Sequence, residues 1–257
     1  MGPVCSSKRM RSSGSATDAE LARMLAEGAG KILVDIRYQQ LLRGYLLGDV
    51  GDAMAQTWIA AVLAEHRPGD AVLSEEAKDT GRRLSADRVW IIDPLDGTRE
   101  FSAGRNDWAV HIALTEGGQP TDCAVSLPAI DQVFSTDSVP KVDGELSGRM
   151  VASRGWTSFE AGHVSHRLGL KVMPIGSAGA KAMAVVRGDA DAYVHAGGQY
   201  EWDNCAPVGV AQAAGLHCSR IDGSELEYNR PNPFMPDFVI CRRELRDPIL
   251  SALDEIL

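Results

Sequence analysis

Residues 90–98 read Trp-Ile-Ile-Asp-Pro-Leu-Asp-Gly-Thr, and no other stretch limits the fold of this chain as tightly. The apolar start predicts a buried strand. That strand runs into a carboxylate, Asp93, passes Pro94, offers a second carboxylate, Asp96, and stops at Gly97. Two anionic side chains are thereby delivered to one edge of a sheet. Such an edge suits a hard divalent cation, because Mg²⁺ takes a few carboxylate oxygens and leaves its remaining positions to water and phosphate. Gly97 and Thr98 then open a helix whose free N–H groups face an anion. The same residue types also make an ordinary turn, so acids elsewhere weigh in the choice. Ser74, Glu75 and Glu76 follow a short strand signal at 71–73, and Tyr200, Glu201, Trp202 and Asp203 precede a helix of small residues expected over 204–214.

Residues 90–101 resemble the signature of the inositol monophosphatase family, in which a strand is followed by Asp-Pro-x-Asp-Gly-Thr and, a few residues on, a Phe, here Phe101. Trp202 and Asp203, with the small-residue helix that ends at Gly215, resemble its second signature. The resemblance spans residues 49 to 230. Within the family the chain looks most like the CysQ type, the 3′(2′),5′-bisphosphate nucleotidases. The residues behind that narrower likeness are Gly176-Ser177-Ala178-Gly179-Ala180-Lys181, Glu201 before Trp202, and Ala152-Ser153-Arg154.

The resemblance implies two Mg²⁺ ions and assigns their ligands. Glu75 and the Leu95 carbonyl would hold the first, Asp93 would bridge both, and Asp96 with Asp203 would hold the second. Glu76 reads as a solvated or outer carboxylate. Asp52 matches a family acid near a third, labile metal; from its residue type alone it reads as the N-cap of a helix running to about residue 65. Residues 48–52 are shorter than the family's usual loop, which leaves the third metal and lithium sensitivity open. Clustered carboxylates raise one another's pKa, so such a set needs cations to be tolerated. Two metals about 3.5–4 Å apart clamp the attacking and leaving oxygens of an in-line phosphoryl displacement. Glu75 and the Thr98 hydroxyl would orient the metal-activated water, with Asp93 at the centre, while the Gly97 and Thr98 amides steady the phosphate. Arg154, Ser177, Lys181 and Asp203 would contact substrate. Ser177 reads equally as a helix cap, and Arg154 and Lys181 equally as solvated cations.

The activity implied is removal of the 3′-phosphate of adenosine 3′,5′-bisphosphate, or of its 5′-phosphosulfate counterpart, in sulfate assimilation. The alternatives are inositol monophosphatase or fructose-1,6-bisphosphatase activity and, from another class, a catalytically silent nucleotide or metal binder. Haloacid dehalogenase phosphatases also place two acids after a strand, but one residue separates theirs, whereas Pro94 and Leu95 both intervene here. Their covalent aspartyl-phosphate is therefore not expected.

Composition fits a soluble enzyme. Net charge is −9, and Lys8, Arg9 and Arg11 sit in the first sixteen residues, so the rest is more acidic still. A nucleic-acid polymer is excluded as partner, since binding one needs a basic surface. A small phosphorylated nucleotide or sugar phosphate is not, because bound metals supply local positive charge. No apolar run is long enough for a membrane span. A cytoplasmic location is expected, and a homodimer is left open. The five cysteines, Cys5, Cys123, Cys205, Cys218 and Cys241, form no Cys-x-x-Cys pair and read as reduced thiols. Cys205, two positions past Asp203, reads as a buried helix residue in preference to a redox switch.

Residues 1–16 read as a disordered tail, and Gly2 to Ser6 match the loose myristoylation pattern. Thr17 and Glu20 form a capping box for an amphipathic helix reaching to about residue 42. After the metal loop, strands at 108–114, 122–127 and 132–135 predict an antiparallel meander. Residues 137–149 read as a connector. Beyond it strands at 150–153, 171–174 and 192–194 alternate with helices at 159–168 and 177–187, and Asp247-Pro248 caps a last helix. This order predicts an α+β metal-binding half over 17–148 and an α/β substrate-binding half over 149–257. The family resemblance implies the same order packed as a layered αβαβα sandwich of the inositol monophosphatase and fructose-1,6-bisphosphatase type.

Overall fold

The computed structural model describes residues 16–257. The N-terminal tail up to residue 15, with its Gly2 to Ser6 pattern and Cys5, lies outside the described residues. Helix α1 (Asp18–Gln39) starts at the expected capping box: Thr17 Oγ1 accepts from the Glu20 amide at 3.2 Å, and the Glu20 carboxylate accepts from the Thr17 amide at 2.9 Å. It stops at Gln40, which adopts a left-handed backbone, short of residue 42. Helix α2 (Gly44–His66) follows almost at once.

Asp52 therefore lies inside α2 and caps nothing, which corrects the N-cap expectation. Gly48 and Gly51 lie inside α2, where glycine costs about 1 kcal/mol relative to Ala. Tertiary packing reverses that preference. A Cβ on Gly48 would lie 2.7 Å from Thr98 Cγ2, and one on Gly51 would crowd Leu33, Phe101 and Leu95, so the bare backbone is what lets α2 close onto the metal loop.

The first sheet runs β1 (Ala71–Ser74), β2 (Arg88–Asp96), β3 (Ala109–Glu116), β4 (Gln119–Leu127) and β5 (Gln132–Ser135) in that spatial order. Only β1 and β2 are parallel, so the expected meander is present. Helix α3 (Thr98–Ser102) bridges β2 and β3. Period-two alternation sorts β2 between two cores. Trp90 and Ile92 pack on α1 and α2, whereas Val89 and Ile91 face inward.

The second sheet holds β6 (Arg149–Ser153), β7 (Lys171–Ile175), β8 (Ala192–Tyr200), β9 (His217–Ser219) and β10 (Phe234–Cys241), ordered β7-β6-β8-β10-β9. Helices α4 (Phe159–Leu168) and α7 (Arg246–Asp254) cover its outer face through Val164, Ile249 and Leu253, against Met150, Val194 and Val239. Between the sheets lie α5 (Ala178–Val186) and α6 (Glu201–Ala213), whose small residues allow close sheet-to-helix approach. Every residue of α5 is buried. The result is the αβαβα sandwich expected. The inner apolar cluster draws Leu73 and Val125 from the first sheet together with Tyr193 and Phe238 from the second.

Other boundaries differ from expectation, and helix α6 begins at Glu201, so Trp202 and Asp203 lie in its first turn and do not precede it. Strand β8 continues to Tyr200 through Gly197 and Gly198, whose φ values are 116° and 89°, because β10 pairs with it across a bulge between Met235 and Asp237. Helix α7 starts at Arg246 after Leu245, with no side-chain cap, so Asp247 and Pro248 lie within its first turn and do not cap it. Proline there costs nothing, since first-turn amides have no intrahelical acceptor.

Candidate metal centre

On a regular strand, residues three apart point to opposite faces. Asp93 pairs with His111 and Asp96 with Ala109, so three steps on β2 match two on β3. That one-residue bulge turns both carboxylates to the same side. Asp93 Oδ1 is fixed by the Leu95 amide at 3.0 Å. Asp203 arrives from the first turn of α6, where its Oδ2 accepts from the Tyr200 amide at 2.7 Å. Asp93, Asp96 and Asp203 each present an oxygen, and the three lie within 4.8 Å of one another. Glu75 stands beside them on the turn after β1, anchored by its amide on the Ile92 carbonyl at 3.3 Å.

Thr98 joins the remaining members. Its Oγ1 lies 3.1 Å from the Leu95 carbonyl and 3.3 Å from Asp52 Oδ2. Asp52 Oδ1 is buried without a hydrogen-bond partner among the described residues. Gly97, at φ 85°, would place a Cβ 2.8 Å from Ser177 Cβ, so the metal loop and the start of α5 meet there.

Electrostatics show how poorly these acids tolerate each other. Burial, then Asp96, Glu75, Asp203 and Asp52, push Asp93 well above the usual carboxylate range. Burial followed by Glu76 and Glu75 raises Asp52 to about 8. Burial and the Asp96 charge lift Asp203 to about 6. Glu75 rises to about 7 through desolvation of its carboxyl and the charges of Asp203, Glu76 and Asp96, although the residue itself is exposed. Asp96 is the exception: burial opposes its charge, but His111, the Gly179 amide and Lys181 hold it below its ordinary value.

A set of oxygen donors, mostly buried, mutually repelling, with one oxygen left without a donor, fits a hard divalent cation. Asp93, Asp96, Asp203, Glu75 and the Leu95 carbonyl are the groups that would hold it, with Asp52 at the margin. Glu76 is exposed and makes no side-chain hydrogen bond among the described residues.

The expected substrate residues lie around the start of α5. Ser177 is the N-cap, its Oγ accepting from the Ala180 amide at 2.9 Å. Lys181 is buried, with Nζ on the Gly176 carbonyl at 2.7 Å and over the Tyr193 ring. Burial holds its pKa below the usual lysine value. Arg154 donates to Asp107 Oδ2 at 2.7 Å, and the same oxygen accepts from the Gly176 amide. Asp96 accepts from the amides of Ala178 at 3.2 Å and Gly179 at 2.6 Å, so α5 braces a metal-loop acid directly. Cys205 is fully buried and its thiol is raised by burial, as an inert helix residue should be.

His111 was not anticipated. It is fully buried, with Nδ1 3.1 Å from the Trp202 carbonyl and Nε2 3.2 Å from Asp96 Oδ2. Burial disfavours its charge, but Asp96 overrides this and raises its pKa. It links the two signature segments through β3, and Gly179 must lack a side chain to admit its ring. A histidine within the apolar run 109–114 was the available signal.

An αβαβα sandwich with acids gathered at the edge of its first sheet and the start of an inner helix defines the class to which this chain is assigned. The inositol monophosphatase family model matches residues 47–256, and the chain belongs to that family. The 3′-phosphoadenosine 5′-phosphate phosphatase of Mycobacterium leprae (strain TN) is 49% identical over 93% of this chain and 94% of its own length. The 3′(2′),5′-bisphosphate nucleotidase CysQ of Salmonella typhimurium is 31% identical over 72% of this chain and 80% of its own. The crystal structure of CysQ from Bacteroides thetaiotaomicron superposes with a TM-score of 0.77 at 25% identity, covering 88% of this chain and 97% of that one.

Proposed function

We propose that the chain is a Mg²⁺-dependent phosphatase removing the 3′-phosphate of adenosine 3′,5′-bisphosphate, or of its 5′-phosphosulfate counterpart, in sulfate assimilation in the cytoplasm. The convergence of Asp93, Asp96 and Asp203 within 4.8 Å carries this reading. The substrate follows the names of the Mycobacterium leprae and Salmonella relatives.

Asp93, Asp96, Asp203, Glu75 and the Leu95 carbonyl would hold the cations. A bound Mg²⁺ pair supplies the positive charge that offsets the phosphate and lowers the pKa of water at the site. Glu75, the solvent-facing acid of the set, accepts the proton of the attacking water. Thr98, held between Leu95 and Asp52, orients that water. The Gly97 and Thr98 amides steady the phosphate. Water attacks phosphorus, the P–O bond to the 3′ carbon's oxygen breaks, and that oxygen takes a proton from solvent. Residues 17–148 supply the metal ligands other than Asp203, and residues 149–257 supply Asp203, Ser177, Arg154 and Lys181 toward the nucleotide. Lys181 acts through the loop it stabilises at Gly176.

Phosphate release with Mg²⁺ is measured side by side from adenosine 3′,5′-bisphosphate, inositol 1-phosphate and fructose 1,6-bisphosphate. The nucleotide is expected to give the highest kcat/KM. A preference for either sugar phosphate overturns the substrate, and nucleotide binding without turnover of any of the three overturns catalysis.

A further inference from the structure

Glu75 opens a segment, residues 75–87, that is exposed almost throughout. Arg83 is the exception. It is 2% exposed, while Arg82 and Leu84 on either side of it stand in solvent. Arginine is almost never fully buried unless its guanidinium is paired, and this one is paired in several directions. Its Nη1 donates to Asn229 Oδ1 at 2.8 Å and to the Arg230 carbonyl at 2.9 Å, and its Nε donates to Asp79 Oδ2 at 3.0 Å. Asn229 Nδ2 donates in return to the Arg83 carbonyl at 3.1 Å. The turn that receives Arg83 is itself held by a second buried charge. The amides of Asn229 and Arg230 donate to the two carboxylate oxygens of Glu201, at 2.7 and 2.9 Å. Glu201 is 1% exposed and opens α6, two residues before Asp203.

A continuous line of hydrogen bonds thus runs from the α6 turn that presents Asp203, through the backbone of residues 229–230, to the segment that begins with Glu75. Among the described residues, every side-chain hydrogen bond joining residues 76–87 to another part of the fold involves Arg83. An exposed segment with so few outside ties opens easily once they are lost. We infer that Arg83 and Glu201 are positioning residues that hold the Glu75 segment to the Asp203 turn, so that acids from both segments grip the same metal centre. The inference rests on the metal-dependent reading above and not on the choice of substrate. The sign of its effect separates it from plain electrostatics. Removing a positive charge from the protein favours cation binding by charge alone, whereas removing a tie weakens it.

The test is calorimetry of Mg²⁺ with the metal-free wild-type protein, Arg83→Met, Arg83→Lys, Glu75→Gln and the double variant of Arg83→Met with Glu75→Gln. Arg83→Met keeps an apolar stem without donors and is expected to weaken Mg²⁺ binding about tenfold, the scale for a group that orients metal ligands. Arg83→Lys keeps the charge but not the planar fork, and its affinity is expected to fall in the same direction. When Glu75 is already Gln, Arg83→Met is expected to add less than about twofold, because its effect acts through Glu75. Hydrogen exchange at residues 77–85 gives a readout without metal: Glu201→Gln, a change on another element, is expected to speed exchange there. Thermal melts establish that each variant is folded, and if Arg83→Met is not, Arg83→Lys replaces it both alone and with Glu75→Gln. Unchanged or tighter Mg²⁺ binding in the folded Arg83 variant, an equal loss whether or not Glu75 is present, or exchange at 77–85 unmoved by Glu201→Gln overturns the inference. A wild-type protein that binds no Mg²⁺ overturns the metal-dependent reading itself.

Discussion

Asp93 is 1% exposed, carries a strongly raised pKa and has one oxygen pinned by the Leu95 amide. Asn in its place keeps the shape and that hydrogen bond but removes the charge. Asp93→Asn is therefore expected to lower kcat by at least about a thousandfold, on the scale of a lost electrostatic clamp, while the metal-free protein melts no lower than wild type. Retention of more than a tenth of the activity, or a large fall in Tm, contradicts this. His111 acts on Asp96 from β3. His111→Gln is expected to weaken Mg²⁺ binding about ten- to a hundredfold, the usual cost of removing a group that orients a metal ligand; calorimetry with unchanged Mg²⁺ affinity rules that role out. The acids were legible in the sequence because spacing and neighbours mark them. His111 was not, because its partner faces it across a strand pair, and the spacing on β2 does not say which β3 residue comes to lie beside Asp96.

The strand bulge and helix α2 do the positioning. Between Asp93 and Asp96 the extra residue on β2 brings both carboxylates to one side, and the Asp-Pro-Leu-Asp spacing in the sequence is its trace. Gly48 lets α2 lie on α3, carrying Asp52 to Thr98. Gly48→Ala is expected to cost about 1–3 kcal/mol of stability by overpacking and to lower kcat as Thr98 is displaced, measured by denaturant unfolding and initial rates. A fully active variant of wild-type stability contradicts that contact. Elements with strong periodicity, such as α1, α4 and the β3–β5 meander, were readable from residue pattern. The start of α2 and the end of β8 were not, because glycine reads locally as loop while packing against Thr98, and pairing with β10, decide otherwise.

Across the whole molecule, two sheets and three helical layers bring acids from distant segments to one point. Asp203, Glu75 and Asp52 carry folded-state pKa values of about 6, 7 and 8, above the ordinary carboxylate range of the unfolded chain. The metal-free folded state therefore holds protons that the unfolded state has released, and stability falls as pH rises through those values. Thermal melts without metal are expected to show Tm dropping from about pH 5 to about pH 8, with saturating Mg²⁺ flattening the slope by binding the ionised cluster. A Tm that rises over that range without metal contradicts the proposed crowding. The layered order was implied by the sequence resemblance, whereas the closeness of α5 to Asp96 depends on packing between the sheets. The most direct measurement is a calorimetric titration of Mg²⁺ into the metal-free wild-type protein and into Asp203→Asn. The prediction is saturable binding in the wild type and a marked loss of affinity in the variant, although residue 203 lies far along the chain from Asp93 and Asp96. Equal Mg²⁺ binding by both proteins would show that these acids do not share a cation.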